Sequence, residues 1–248
     1  GALPVAITNN LNFASPETEI GYWQLHSACE GISIACESLE TPVTGGNVSL
    51  YNESIDDEGN KKPIQPTPVI GMVGVLDNVK KAVSSGWKNI NDEIWIIGSR
   101  DSDLTLGATS YLEYFHGQVT GRPPHLNLID EKLCQLFIRN GILKNLIISS
   151  HDISDGGLAV ALAEACILSE KGASINLIGN ERKDSLLFSE GGSRIIFSIP
   201  HLKKNEWLKF VSEESKNFTD SIYVTKIGTV SQDILKIKIL DNILCDLK

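Results

Sequence analysis

The densest group of side chains that could do chemistry lies in residues 41–54, whose sequence is TPVTGGNVSLYNES. Two adjacent glycines precede an amide and a hydroxyl, Asn47 and Ser49, which alternate with apolar residues. A glycine pair permits positive φ and removes the side chains that would keep a phosphate away from backbone N–H groups. In an extended segment, Asn47 and Ser49 would project to one face, while Val48 and Leu50 would pack on the other. The same residues also fit a hairpin turn whose Asn and Ser bond local backbone, so both interpretations stay open.

A second polar group occupies residues 150–158, with the sequence SHDISDGGL, between an apolar run and an alanine-rich segment. A strand, a glycine turn and a helix N-terminus form a typical anion-binding geometry. One interpretation is structural: Asp155 caps the helix and the glycines let it pack closely on the sheet. In the other, His151 and Asp152 do acid/base work or contact a nucleotide. The residues alone do not decide between them, because neither a Ser-His-Asp order nor metal-ligand spacing is present.

Hydrophobic patterning predicts the elements that would position these groups. In the first part of the chain we expect a strand at 3–8, a helix at 19–39, a charged hairpin tip at 53–62, and a strand at 69–76 that is buried on both faces or closely approached by other backbone. In the second part we expect strands at 94–98, 146–149, 195–199, 221–228 and 233–240, and helices at 107–114, around 128–137, at 158–168 and at 203–215. The fold class is therefore α+β, with a domain boundary near residue 80 that separates residues 1–80 from residues 86–248.

Composition limits the classes of function. The chain has 248 residues, 42% of them hydrophobic, and a net charge of −9, which argues against a nucleic-acid-binding surface. No long apolar run or signal-peptide pattern occurs, so we expect a cytoplasmic protein. The five cysteines form no CxxC pair; Cys29 and Cys36 share a helical stripe with Leu25, Ile32 and Leu39, which predicts buried thiols.

Four segments in the same order resemble the synthetase subunit of phosphoribosylformylglycinamidine synthase, an enzyme family of purine biosynthesis. They are TPVTGGNVSLYNES at 41–54, PTPVIGMVG at 66–74, SHDISDGGL at 150–158 and FSEGGSR at 188–194. That family is built from two repeats of an ATP-binding unit, and this chain resembles the second repeat. The resemblance implies part of an aminoimidazole-ribonucleotide (AIR) synthetase-like N-terminal domain, followed by a complete C-terminal domain of the same superfamily.

The implied activity is that of an ATP-dependent, C–N bond-forming ligase. It converts formylglycinamide ribonucleotide to formylglycinamidine ribonucleotide, with ammonia that a glutaminase partner releases from glutamine. ATP phosphorylates the amide oxygen and ammonia displaces the phosphate. The implied partners are the first repeat of the synthetase, the glutaminase subunit and a small third subunit, with no nucleic acid or membrane, and we expect the chain alone to be inactive.

The resemblance also implies roles for individual residues. Asn9 and Gly46 would contact ATP, Asn47 would ligate Mg²⁺ through its side-chain oxygen, and Ser49 would contact the substrate. Oxygen ligands suit a hard ion that bridges phosphates. The family's catalytic histidines lie in the first repeat, so no histidine here inherits that role.

The chain departs from the family pattern at two places. Asn9 stands where the family usually has a nucleotide-contacting aspartate, which removes a charge but keeps the carbonyl acceptor. The segment GATSYL at 107–112 replaces a family GGSEYL and lacks its glutamate. Alternatives are another ATP enzyme of the AIR-synthetase superfamily, or a non-catalytic half that binds a structural nucleotide and pairs with the other repeat.

Overall fold

The computed structural model describes residues 1–99, 104–178, 182–239 and 242–247, the last of these as backbone only. The predicted strand end at residue 240 lies outside the described residues. Contacts divide the chain into two compact units, Ala2–Asp77 and Asn78–Lys248. Each unit has its own sheet.

The first unit is a three-stranded sheet with one long helix. Its elements are β1 (Leu3–Asn12), α1 (Glu19–Leu39), β2 (Val43–Ser49), β3 (Glu53–Ile55), β4 (Lys61–Pro63) and β5 (Thr67–Val75). The sheet order is β2-β1-β5, with β2 parallel and β5 antiparallel to the central β1. The predicted hairpin tip is confirmed, since β3 and β4 pair around a turn in which Gly59 has φ 85°.

Helix α1 has the predicted bounds for identifiable reasons. The Thr18 hydroxyl accepts a hydrogen bond from the Gly21 N–H at 3.1 Å, and Glu19 places a carboxylate in the first turn. The predicted burial is wrong for Cys29, which is exposed, whereas Cys36 is half-buried. The helix faces the sheet instead through a groove lined by small and apolar residues, among them Ala28, Ile32, Ala35 and Leu39.

Of the alternatives left open for this unit, two are wrong. Residues 69–76 were expected to be either buried on both faces or closely approached by other backbone. Burial is excluded, because β5 is an edge strand and every residue in it is exposed, including Val73 at 55%, while the backbone of β1 pairs along it. Gly45 and Gly46 do not form a turn; both lie inside β2 without positive φ. The hairpin interpretation of this segment is therefore excluded, and the extended interpretation is confirmed.

The second unit is a seven-stranded mixed sheet with helices on both faces. Its elements are β6 (Glu93–Ser99), α2 (Ser110–His116), α3 (Leu128–Leu143), β7 (Ser149–Asp152), α4 (Gly157–Ser169), β8 (Gly172–Leu177), α5 (Lys183–Phe188), β9 (Ile195–Ile199), α6 (Lys204–Glu214), β10 (Ile222–Ser231), β11 (Leu235–Ile239) and β12 (Asn242–Leu247). The strand order is β12-β11-β8-β10-β6-β9-β7. This arrangement agrees with the predicted α+β class.

Alternation along β6 divides the core of this unit into two layers. Ile94 and Ile96 belong to a cluster with α4, while Trp95 and Ile97 belong to a cluster with α3 and α6. Trp207 is fully buried in the second cluster. The sheet is therefore fixed on both faces, and the loops at its ends can hold side chains in defined positions.

Two of the differences from the predicted element boundaries affect candidate residues. Helix α2 begins at Ser110, because Gly107 and Ala108 form a turn in which Ala108 has φ 58°. The strand expected at 146–149 is β7 at Ser149–Asp152, so His151 and Asp152 lie in the strand and not in a loop. Among the described residues, no helix is long and apolar enough to span a bilayer.

Candidate functional site

A row of neutral polar side chains lies on one face of the β1–β2 pair. Asn10 is opposite Asn47 and Asn12 is opposite Ser49. The Asn47 Nδ2 donates to Asn10 Oδ1 at 3.1 Å, and Asn12 Nδ2 donates to the same oxygen at 3.3 Å. The predicted alternation is confirmed for the two polar residues, but Val48 on the opposite face is 58% exposed and not packed.

Asn52 closes the Ser49 end of this row. Its Nδ2 donates to the Ser49 carbonyl at 2.9 Å and to the Phe13 carbonyl at 3.2 Å, and its Oδ1 accepts from the Ser49 hydroxyl at 3.2 Å. Sequence reasoning did not select Asn10, Asn12 or Asn52. The parallel register of β1 and β2 brings Asn10 and Asn12 beside Asn47 and Ser49, and this pairing cannot be predicted from either segment alone. Asn52 reaches Ser49 through a local contact three residues along the chain.

Asn9 and Gly46 face the other side of the sheet. They are direct partners in the β1–β2 register, one position away from the polar row. A Cβ atom at residue 46 would lie 2.0 Å from Asn9 Oδ1 and 2.4 Å from the Asn9 carbonyl oxygen. Glycine is therefore required at residue 46 by the close approach of Asn9, whatever else binds there.

The four predicted site residues are thus divided between two faces of the sheet. Asn47 and Ser49 lie together on one face, and Asn9 and Gly46 lie together on the other. The backbone of Gly46 is still accessible to a ligand from either face, because β2 is exposed and lies at the edge of the three-stranded sheet.

The polar row can provide one ligand atom to a metal ion. The hydrogen bond to Asn10 fixes the Asn47 amide nitrogen, and among the described residues no donor occupies Asn47 Oδ1. That oxygen can therefore ligate a hard cation. The described residues contain no cluster of three or more His, Cys, Asp or Glu side chains suited to a metal. A neutral row supplies no charge of its own, so Mg²⁺ would need the phosphates of a bound nucleotide.

The glycine turn in the second unit is filled by the chain itself. Glu190 Oε1 accepts from the Gly156 N–H at 2.7 Å and from the Ser110 N–H at 2.9 Å, so one carboxylate sits at the starts of α4 and α2. The expectation that Asp155 caps α4 is wrong: the capping residue is Gly156, with φ 79° and no side-chain cap. The segment is an anion-binding geometry whose anion is Glu190.

His151 is held between carboxylates at the edge of the second sheet. Its Nε2 lies 2.9 Å from Glu164 Oε2, and its Nδ1 lies 3.4 Å from Asp152 Oδ1. Both carboxylates are largely exposed. This arrangement is a cluster of His151 with two carboxylates, and among the described residues no nucleophile bonds to His151.

Two family profiles match the chain. The AIR synthase related protein, N-terminal domain, matches residues 1–76, and the AIR synthase related protein, C-terminal domain, matches residues 89–231, more than half of the chain. This chain belongs to the AIR synthase related family. The two matches fall on the two compact units, Ala2–Asp77 and Asn78–Lys248.

One group of relatives shows which enzyme subunit the chain is similar to. The phosphoribosylformylglycinamidine synthase subunit PurL of Prochlorococcus marinus strain MIT 9301 is 64% identical over 100% of this chain. The chain spans 32% of that relative's length. The resemblance to this synthase, drawn first from four sequence segments, is therefore confirmed.

Solved structures share the fold of the whole chain. Thermotoga maritima PurL complexed with ATP matches with a TM-score of 0.67 and 17% identity, over 99% of this chain and 37% of that one. T. maritima PurL complexed with FGAR matches with a TM-score of 0.68 and 17% identity, over 99% and 39%. At this identity the likeness establishes the α+β fold, which is confirmed.

Proposed function

We propose that the chain is the second ATP-binding repeat of a phosphoribosylformylglycinamidine synthase. The observation that carries the proposal is the 64% identity to a PurL subunit over the full chain. The reaction is the ATP-dependent conversion of formylglycinamide ribonucleotide to the amidine. The amide oxygen is phosphorylated, ammonia attacks the carbon that bears this oxygen, and phosphate leaves. Because the chain spans 32% of the length of such a relative, the first repeat is supplied by the rest of the synthetase. A glutaminase and a small third subunit are the other partners, in the cytoplasm.

In this proposal the β1–β2 pair of the first unit is the nucleotide and metal site. On the face of the polar row, Asn47 Oδ1 ligates Mg²⁺ and Ser49 contacts the substrate; Gly46 and Asn9, on the other face, contact ATP where it passes the edge of the sheet. Two observations support this assignment: among the described residues no donor occupies Asn47 Oδ1, and β2 is an edge strand. Mg²⁺ supplies charge neutralisation of the phosphates when it is bound. The residues of the chain hold the ion at one oxygen and leave the outer edge of the sheet open to the nucleotide.

The domain division belongs to the same proposal. Residues 1–80 form the AIR-synthetase-like N-terminal, nucleotide-binding part, and residues 86–248 form the C-terminal domain. The compact units Ala2–Asp77 and Asn78–Lys248, and the family matches at 1–76 and 89–231, support these limits.

The test of the site is the Asn47→Ala variant in the chain mixed with its upstream repeat. We expect MgATP affinity, measured by calorimetry, to fall about tenfold or more, because a direct metal ligand is lost. Thermal stability should change little, since Asn47 is exposed. Ser49→Ala is the matched control on the same face, and it should raise KM for the formylglycinamide substrate while MgATP affinity is kept. Unchanged MgATP affinity in Asn47→Ala would refute the ligand assignment.

A second candidate function is a structural nucleotide site in a non-catalytic half. The amide of Asn9, in place of the aspartate usual in the family, favours it because a charge is missing at the nucleotide. Under this alternative, Asn47→Ala would weaken MgATP binding and loosen pairing of the repeats, but the turnover of enzyme that remains assembled would be unchanged.

A further inference from the structure

A cationic side chain, Arg194, is buried in the second unit, and among the described residues it has no carboxylate partner. Arg194 is 4% exposed and directly precedes β9. Its aliphatic stem passes over Gly98 of β6, where an added Cβ would lie 2.8 Å from Arg194 Cγ. The absence of a side chain at residue 98 therefore lets the guanidinium reach the interior.

The guanidinium is bonded to neutral acceptors. Nε donates to the Gly191 carbonyl at 3.3 Å, and Nη2 donates to the Ser189 carbonyl. A guanidinium has five N–H donors, and these two bonds use two of them. Within the described part of the chain, no salt bridge joins Arg194 to a carboxylate. Burial lowers the pKa of Arg194, because the charged form loses contact with water.

Arg194 lines a cavity of about 150 Å³ that borders α4, α5, β8 and β10. Part of the wall is apolar, with Ile96, Leu158, Leu177 and Leu186 among the lining residues, and part is polar, with Asn176, Tyr223 and Thr225. Lys226 also lines the cavity, but its ammonium is 2.7 Å from Glu93 Oε1 and is already paired. Arg194 is therefore the lining cation, among the described residues, that is available to an anion.

Charge and volume together define the ligand. One guanidinium compensates one negative charge, and a dianion such as phosphate would keep a second charge without a cation of its own. A carboxylate matches the planar donor fork of arginine and carries a single charge. The volume equals that of about five water molecules at about 30 Å³ each, which admits a carboxylic acid with a short hydrocarbon chain.

We propose that this cavity binds a small monocarboxylate, whose carboxylate pairs with the Arg194 guanidinium and whose hydrocarbon part lies against the apolar part of the wall. The site lies wholly within the second unit and uses none of the residues of the proposed nucleotide site. It is therefore a separate binding site, independent of whether the proposed function holds.

Butyrate is the probe, and the 248-residue chain is used as it is. The side-chain Nε–Hε resonances of Arg194 and Arg182 are followed by NMR during titration, with Arg182, a largely exposed arginine near the start of α5, as the internal reference. We expect the Arg194 signal to shift and saturate while the Arg182 signal stays in place. Butanol and phosphate should bind at least about tenfold more weakly, because butanol lacks the carboxylate and phosphate lacks the hydrocarbon chain.

Three variants make the test decisive. Arg194→Met removes the anion partner and Arg182→Met is its matched control, so butyrate binding should fall at least tenfold in the first and persist in the second. Leu186→Trp fills the cavity while Arg194 is kept, so binding should also be lost there, and this variant replaces Arg194→Met if that chain does not fold. Equal binding of butanol, tighter binding of phosphate, retained binding in Leu186→Trp, or no saturable shift with butyrate would each overturn the proposal.

Discussion

Gly46→Ala is an informative substitution in the first unit, because Gly46 is both a proposed ATP contact and the close neighbour of Asn9. The added Cβ would lie 2.0 Å from Asn9 Oδ1 and 2.4 Å from the Asn9 carbonyl oxygen. The side-chain oxygen can rotate away, but the carbonyl belongs to the backbone of β1. The two strands must therefore separate by about 1 Å to reach an ordinary contact distance.

The magnitude follows from the ladder that this separation disturbs. Backbone bonds of 2.9 Å from Ile7 N to the Pro42 carbonyl and 3.0 Å from Phe13 N to the Ser49 carbonyl frame the strand pair. Loss of about two ladder bonds at about 0.5–1.5 kcal/mol each gives a loss of about 1–3 kcal/mol. For a unit of this size, the midpoint of thermal unfolding falls by about 4–8 °C for each kcal/mol.

The assay is thermal unfolding together with hydrogen exchange of the β1 and β2 amides. Gly45→Ala is the matched control, because a Cβ at residue 45 meets nothing within 4 Å. We expect Gly46→Ala to unfold at lower temperature with faster exchange in β1 and β2, and Gly45→Ala to behave like the original chain. Equal stability of the two variants would refute the reasoning. If Gly46→Ala is destabilised as expected, its loss of ATP binding cannot by itself be assigned to a lost ATP contact.

Two further predictions concern the second unit and the thiols. Burial opposes the charge of Glu93, but the hydrogen bond and charge of Lys226 outweigh it and hold the pKa of Glu93 below its usual 4.5; Glu93→Gln should therefore cost about 1–3 kcal/mol at neutral pH. The difference in unfolding free energy between the original chain and Glu93→Gln should have its full value above pH 4.5 and shrink as the pH falls below it. Urea unfolding from pH 7 to 3 measures it, and a difference independent of pH would contradict this expectation. Burial raises the pKa of the Cys134 thiol to about 12, whereas Cys29 is exposed. Thiol labelling at pH 8 should lose one fast-reacting group in Cys29→Ser and none in Cys134→Ser; the opposite result would contradict the burial assignment.

Local patterns predicted the elements well where one segment contains the whole signal. Helix α1 has its predicted bounds because the capping Thr18 and the apolar stripe lie within the same stretch. In β11, Leu235 and Ile237 are buried and alternate with the half-buried Lys236, as the sequence predicts. Such periods depend on the element itself and need no knowledge of its neighbours.

The predictions that were wrong depend on neighbours. The apolar run of β5 indicated burial, but it cannot show whether another layer covers the strand. The glycine pair suggested a turn, yet Gly46 is required by the carbonyl and side chain of Asn9, 37 positions earlier. The position of Asp155 in the sequence suits a helix cap. In the structure, however, the Gly156 N–H at the start of α4 donates to the carboxylate of Glu190, which belongs to a turn distant in sequence. Each of these contacts is set by tertiary structure, which a short sequence window does not contain.

The site was partly predictable for the same reason. The alternation of Asn47 and Ser49 is local and was found. Their neighbours Asn10 and Asn12 are brought to them by parallel pairing, which carries no sequence signal in either strand.

The central claim, that this chain is one repeat of a two-repeat synthase, is tested most directly by reconstitution. Amidine formation from formylglycinamide ribonucleotide and ATP is measured with ammonium salt as the nitrogen source, which bypasses any glutaminase. We predict no turnover by the chain alone, and turnover when the upstream segment of the 64%-identical P. marinus PurL is added. Turnover by the isolated chain, or no turnover by a mixture in which both parts are folded and associated, would contradict the account.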